Sequence, residues 1–223
     1  MNKYYSLTEM LPNLDDEIVV LWSGGLDSTG LIFLLLNKYP NSIIHPLFIK
    51  HGQKNMKYEE ESVYIYSKIF SDKFPLRFNE PFVISTDIPA KEFKKINSKT
   101  RHYLRNSDLI NNAVRFATYK NISIIILATF EDDFVDGTKE YLQIKNEEIN
   151  KGTDEYFTLL SPFLEDNFFC HTKTELISIC KANGLELNKT RSCYEDNPEP
   201  CNDCPSCKRR DIALSNSAGL FGN

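Results

Sequence analysis

Glu17-Ile18-Val19-Val20-Leu21-Trp22 runs straight into Ser23-Gly24-Gly25-Leu26-Asp27-Ser28-Thr29, and a second apolar run, Leu31-Ile32-Phe33-Leu34-Leu35-Leu36, follows with no proline until Pro40. A short, nearly continuous apolar run bounded by glycine is a buried strand. The second run, clear of breakers, is a helix. The join between them is therefore a glycine-hinged loop. Two glycines let the backbone turn sharply and come close to a ligand. Small side chains leave the space above the loop open, and the serine and threonine hydroxyls add donors. The unpaired N–H groups of a new helix favour an anion there. The stretch is a phosphate cradle.

Two common cradles are excluded. No lysine follows the glycines, so the G-x-x-x-x-G-K-[ST] loop is absent. The dinucleotide pattern G-x-G-x-x-G is absent as well.

Further along, Ile43 to Ile49 is a second buried strand ending at His51-Gly52-Gln53, and an amphipathic helix over about Tyr58 to Phe70 leads to a third strand at Phe82-Val83-Ile84. Strands alternating with helices imply an α/β fold, a parallel doubly wound sheet with helices on both faces and right-handed crossovers. Ligands in such sheets bind beyond the carboxyl ends of the strands. Both the Ser-Gly-Gly loop and the His-Gly-Gln loop fall at such ends. Residues 85 to 107 form a long basic loop with Lys91, Lys94, Lys95, Lys99, Arg101 and Arg105. Such a loop is either a lid or solvated chain. A helix starts near Asp108, with Ser107 or Asp108 as its N-cap. Ile122 to Ala128 is the clearest buried strand, and Glu131, Asp132 and Asp133 after it can hold Mg²⁺ or simply face solvent. Residues 139 to 156 contain a charged helix. Thr172 to Ala182 is a helix with a capping box, Thr172 and Glu175, stopped at Asn183-Gly184.

The 223 residues carry a net charge of −5, with 41% hydrophobic and 26% charged residues. These are ordinary globular values, and the balance argues against binding nucleic acid through an overall positive field. With no signal-like or membrane-spanning run, a cytoplasmic protein is expected. In a reducing compartment, six cysteines point to a metal or catalysis rather than disulfides. Cys193, Cys201, Cys204 and Cys207 lie in a polar, proline-rich tail at Cys-x7-Cys-x2-Cys-x2-Cys spacing. Four thiolates make a closed tetrahedral Zn²⁺ site. An iron–sulfur cluster also takes four cysteines, but the ferredoxin-type run has a different fourth spacing followed by proline. Zinc is the better fit. Cys170 and Cys180 sit in apolar pattern and are expected to be buried. Lys208, Arg209 and Arg210 are either a solvated end or a helix C-terminus facing phosphate, and the solvated reading is the better fit.

The SGGLDS stretch resembles the PP-loop of the ATP pyrophosphatases, SGGxDS. The resemblance narrows along residues 17 to 214. Its anchors are His51-Gly52-Gln53, Leu104-Arg105-Asn106, Pro162, Lys173-x-Glu175, Gly184, Thr190-x-Ser192-Cys193-Tyr194 and the cysteine set. Together these resemble the 7-cyano-7-deazaguanine synthase (QueC) family. The resemblance implies a PP-loop ATP pyrophosphatase domain over residues 1–190 and a zinc-binding segment over 191–223 packed on it. It also implies ATP-dependent adenylation of 7-carboxy-7-deazaguanine. Ammonia then gives the amide, and a second ATP gives the nitrile. The resemblance would place ATP on Leu21, Ser23, Gly24, Gly25, Leu26, Asp27, Ser28, Thr29, His51, Gly52 and Gln53. It would give catalytic roles to Ser23, Asp27, Ser28 and Lys173, and would set the base against Arg105, Asn106, Asp133 and Asp136. ATP, Mg²⁺ and Zn²⁺ would be the cofactors, ammonia or another amine the co-substrate, and a homodimer the expected assembly.

The chain departs from the family at His51, where the family has Tyr, and at His102-Tyr103-Leu104. It departs again at Phe134 to Tyr141, which lacks the Cys and Arg of the family's Gly-Tyr-Pro-Asp-Cys-Arg-like stretch. Paralogues in DNA-modification and phage-defence contexts would pass the activated base to an amine on a protein. A PP-loop tRNA-modifying enzyme is a further alternative that the net charge disfavours. An inactive scaffold is disfavoured by the intact loop.

Overall fold

The computed structural model describes Leu14 and residues 16–90, 92, 103–131 and 135–219. Most of the basic loop, together with Asp132 and Asp133, lies outside them. Among the described residues five parallel strands form one sheet: β1 (Glu17–Leu21), β2 (Ile43–Lys50), β3 (Phe82–Ser85), β4 (Ile124–Ile126) and β5 (Thr158–Leu160). Their spatial order is β3-β2-β1-β4-β5. The chain winds outward from β1 to β3, then returns to the other side of β1. The crevice at that reversal, beyond the carboxyl ends of β1 and β4, is where such sheets bind ligands.

Side-chain alternation along the strands divides the core in two. Ile18, Val20, Ile44, Phe48 and Ile126 face a layer that includes α1 (Leu26–Lys38), α2 (Met56–Lys73) and α5 (Lys173–Ala182). Val19, Leu47, Ile49 and Ile125 face α3 (Arg105–Lys120) and α4 (Lys139–Gly152). The last helix, α6 (Pro205–Gly219), packs on α5 and adds Ala213 to the first layer. The doubly wound arrangement expected from the alternating pattern is thus present. From Leu26 to Leu36 only Asp27 escapes full burial on α1, because that helix lies between the sheet and α5. Gly30 makes the packing possible, since a Cβ there would lie 2.8 Å from a methyl of Leu176.

Several boundaries differ from the sequence pattern. Helix α1 begins at Leu26, so Asp27 and Ser28 stand in its first turn. Helix α3 begins at Arg105 rather than near Asp108, after Leu104 in the left-handed region at φ 59°. The Asp136 carboxylate accepts the Asn106 N–H at 2.9 Å and does the capping expected of Ser107 or Asp108. β4 is shorter than the Ile122–Ala128 run, and β5, too short for a periodic signal, was not anticipated. The capping box of α5 is present, with the Thr172 hydroxyl accepting from the Glu175 N–H and the Glu175 carboxylate accepting from the Thr172 N–H. Gly184, at φ +82°, ends that helix. Cys170 and Cys180 are buried. Among the described residues no helix is long and apolar enough to cross a membrane.

Candidate active site

After β1 the chain turns over Ser23-Gly24-Gly25 into α1. The Ser23 N–H donates to Ser28 Oγ at 3.3 Å, the two serine hydroxyls stand 3.2 Å apart, and the Gly25 N–H donates to Ser23 Oγ at 3.3 Å. The loop is closed around its own hydroxyls. Gly25 is the N-cap of α1 and has no side chain with which to cap it. First-turn N–H groups of that kind, at the positive end of a helix dipole, suit a phosphate.

One turn before Gly30 on α1 stands Asp27, and one turn before Leu176 on α5 stands Lys173. The close approach of Gly30 and Leu176 therefore brings this charged pair together. Lys173 Nζ lies 2.7 Å from Asp27 Oδ2 and 4.6 Å from the centre of the Phe130 ring. Both side chains are only partly exposed, so water screens the pair incompletely.

These groups line a cleft of about 240 Å³. Its floor is apolar, with Leu21, Trp22, Leu47, Ile49, Leu109, Leu127 and Ala128. Its rim is polar and carries Arg105, Lys173, Arg191, Arg209 and Arg210 against the carboxylates of Asp27 and Glu59. Apolar side chains beside several cationic ones suit an anionic ligand that also carries an apolar ring. Thr129 also lines the cleft. It is clamped by Ser161, whose Oγ accepts from the Thr129 N–H at 3.1 Å and donates to the Thr129 carbonyl at 2.8 Å. The buried Thr129 hydroxyl and Arg191 Nε have no hydrogen-bond partner among the described residues. Buried polar groups left in this way call for a ligand or water.

Leu21, Ser23, Gly25, Leu26, Asp27, Ser28, His51, Gln53, Arg105, Asn106 and Lys173 therefore converge on one cleft, as the motifs suggested. Four other candidates stand apart from it. Gly24 is turned toward α2, Gly52 is outside the lining, and the Thr29 hydroxyl accepts the Trp22 indole N–H at 2.9 Å. Asp136 holds Asn106 instead of facing the cleft. Asp133 lies outside the described residues, and Glu131, the described member of the acidic run, does not line the cleft.

The sequence pattern missed Glu59, Arg191, Arg209 and Arg210. Burial pushes the Glu59 carboxyl up to about 7, against hydrogen bonds from Gln53 and Asn55 that favour its charged form. The solvated reading of the Lys208-Arg209-Arg210 run holds for Lys208, which pairs with exposed Asp203. It fails for the two arginines. Arg210 donates to the Thr190 carbonyl at 3.0 Å, to Thr190 Oγ1 at 2.7 Å and to the Leu187 carbonyl at 2.9 Å, pinning α6 beside the cleft.

The sulfur atoms of Cys193, Cys201, Cys204 and Cys207 all lie within 4.8 Å of one another. Tetrahedral Zn–S bonds of about 2.3 Å put sulfurs about 3.8 Å apart, so a single ion fits this set with a small contraction. The Cys201 N–H donates to Cys193 Sγ and the Cys204 N–H to Cys201 Sγ, each at 3.3 Å. Hydrogen bonds from the Asp203 and Cys204 backbone bring the Cys201 thiol down to about 7. Such donors favour the thiolate that a metal needs. Tyr194, Ser192 and Arg191, just before and after Cys193, form part of the cleft wall, and the Arg191 N–H donates to the Gly24 carbonyl at 3.0 Å.

The family model of the queuosine biosynthesis protein QueC matches residues 17–218. The chain is 28% identical over 209 residues to 7-cyano-7-deazaguanine synthase 1 of Desulfitobacterium hafniense, covering 89% of this chain and 91% of that protein. It is 25% identical over 220 residues to the 7-cyano-7-deazaguanine synthase of Persephonella marina, covering 91% and 93%. Among solved structures it is similar to a 4-thiouridine synthetase in complex with RNA and bound ATP, with a TM-score of 0.48 and 13% identity. That match covers 92% of this chain and about half, 51%, of that one.

Proposed function

The chain belongs to the QueC family, and we propose that it is an ATP-dependent carbon–nitrogen ligase that adenylates the carboxylate of 7-carboxy-7-deazaguanine and converts it to the amide and then the nitrile. The observation that carries this reading is the cleft itself. A helix N-terminus ringed by serine hydroxyls, the Asp27–Lys173 pair and a guanidinium-rich rim meet over an apolar floor.

A carboxylate is a poor electrophile, and ammonia does not displace oxide from it. Transfer of AMP to the carboxylate oxygen, with pyrophosphate leaving, supplies a leaving group. Ammonia then forms the C–N bond and releases AMP. A second adenylation, on the amide oxygen, lets AMP leave with that oxygen as two protons are lost from nitrogen. The protein's part is positioning and charge neutralisation. In this reading Ser23, Gly25 and Ser28 cradle the departing pyrophosphate, and Lys173 offsets charge near the α-phosphate while Asp27 holds its ammonium in place. Arg105, Asn106 and the orphaned Thr129 hydroxyl face the base or its carboxylate. Mg²⁺, when bound, would neutralise charge on the pyrophosphate, and Asp27 is the carboxylate placed to hold it. Zn²⁺ on the four cysteines would hold the Arg191–Tyr194 wall in place.

Incubation with 7-carboxy-7-deazaguanine, MgATP and ammonium, followed by mass spectrometry, tests the proposal. Two AMP and two pyrophosphate are expected per 7-cyano-7-deazaguanine. AMP with amide or adenylate but no nitrile would limit the reaction to its first stage, with transfer to another amine. No carboxylate-dependent AMP would sink the proposal.

A further inference from the structure

Asn55 is the N-cap residue of α2, and at such positions asparagine normally accepts a hydrogen bond from the helix's first turn. Here its side chain makes no capping bond. It is 4% exposed, and its amide nitrogen instead donates twice: to the Cys193 carbonyl at 2.9 Å and to Glu59 Oε1 at 2.9 Å. Both partners are acceptors, so the amide orientation is fixed by chemistry, and both N–H bonds are used. Glu59 Oε2 accepts from Gln53 Nε2 at 2.6 Å, and Gln53 Oε1 accepts from the His51 N–H at 2.8 Å. The hydrogen bonds thus run without a gap from a cysteine of the metal cluster to the loop that ends β2. Residues 55 and 193 are far apart in sequence, so this link is a tertiary contact.

We propose that Asn55 is a positioning residue that couples the cysteine cluster to the His51–Gln53 wall of the cleft, so that order in the cluster sets the affinity for nucleotide. This rests on the ATP reading of the cleft. A metal ion on Cys193 fixes the carbonyl of the same residue, and Asn55 transmits that position to Glu59 and Gln53. A side chain kept only to start the helix would cap it. This one spends its donors on the link.

The test is MgATP affinity of the full-length chain, followed by fluorescence of Trp22, the single tryptophan, which lines the cleft. Asn55→Ser keeps a residue that caps helices well but cannot span the two acceptors, so the lost hydrogen bonds should lower its melting temperature by only a few degrees. Its metal content should not change, while MgATP binding weakens about tenfold. Cys201→Ser, which removes one ligand, should weaken binding by a similar factor. The double variant should be no weaker than the worse single one, as for two residues acting along one link. A double loss equal to the product of the singles would overturn the proposal. So would unchanged MgATP binding in Asn55→Ser, or loss of its metal. Absence of MgATP binding by the parent chain would overturn the ATP reading as well, which separates the two failures.

Discussion

Lys173→Met should lower kcat/KM for carboxylate-dependent AMP formation by about a hundred- to a thousandfold, the usual range for removing one preorganised charge from a transition state. The ammonium is held 2.7 Å from Asp27 and 4.6 Å above the Phe130 ring, so it enters the reaction already oriented. Methionine keeps most of the apolar stem of the side chain and removes the ammonium with its hydrogen bond to Asp27. The pair is only partly exposed, 14% for Lys173 and 28% for Asp27, so losing this charge-assisted hydrogen bond should cost about 1.5 kcal/mol. The melting temperature should therefore move by only a few degrees. Steady-state kinetics and a thermal melt on the same preparation check both halves. A tenfold loss or less would place Lys173 outside the chemistry.

Gly24→Ala should lower stability by about 3 kcal/mol, combining the cost of a left-handed non-glycine residue with overpacking. At about 2–4 °C per kcal/mol for a chain of this size, the melting temperature should fall by about 10 °C. Gly24 has φ +71°, and a Cβ there would lie 2.6 Å from the Glu59 carbonyl oxygen and 3.1 Å from Ser62 Cβ and Val63 Cγ2. The nearest obstacle is helix backbone, which cannot give way as a flexible side chain could. The Gly24 carbonyl also accepts from Ser62 Oγ at 2.6 Å and from the Arg191 N–H at 3.0 Å, so any shift there disturbs both α2 and the cysteine segment. Gly25 provides the contrast. Its φ of −73° suits any residue, and a Cβ would meet only Ser23 Oγ at 3.1 Å and the Arg191 carbonyl oxygen at 3.4 Å. Gly25→Ala should melt within about 3 °C of the parent, since no backbone strain is added, and weaken nucleotide binding. Equal melting temperatures for the two alanine variants would contradict this division of roles.

The pattern was legible where the signal was local. The run from Glu17 to Leu36, the strand before His51 and the capping box at Thr172 each carry their structure within a few residues, and the cysteine spacing brought four thiols together. What escaped was either short or remote. β5 is three residues, Thr158–Leu160, held by pairing with β4 and leaving no period to detect. Arg209 and Arg210 sit in a charged run that looks solvated until α6 packs on α5 and turns them to the cleft. Glu59 follows the His-Gly-Gln loop but looks like any acid on an amphipathic helix. Its burial and its link to Cys193 through Asn55 depend on chain more than a hundred residues away. Leu104 offered no glycine or asparagine to signal its left-handed conformation, and the cap of α3 comes from Asp136, thirty residues on.

The central claim is that a substrate carboxylate oxygen attacks the α-phosphorus of ATP. It is tested most directly with 7-carboxy-7-deazaguanine labelled with ¹⁸O in its carboxylate, turned over with MgATP and ammonium in unlabelled water. The account predicts AMP carrying one ¹⁸O and unlabelled pyrophosphate. Label in inorganic phosphate with ADP as co-product, or AMP free of label, would contradict it.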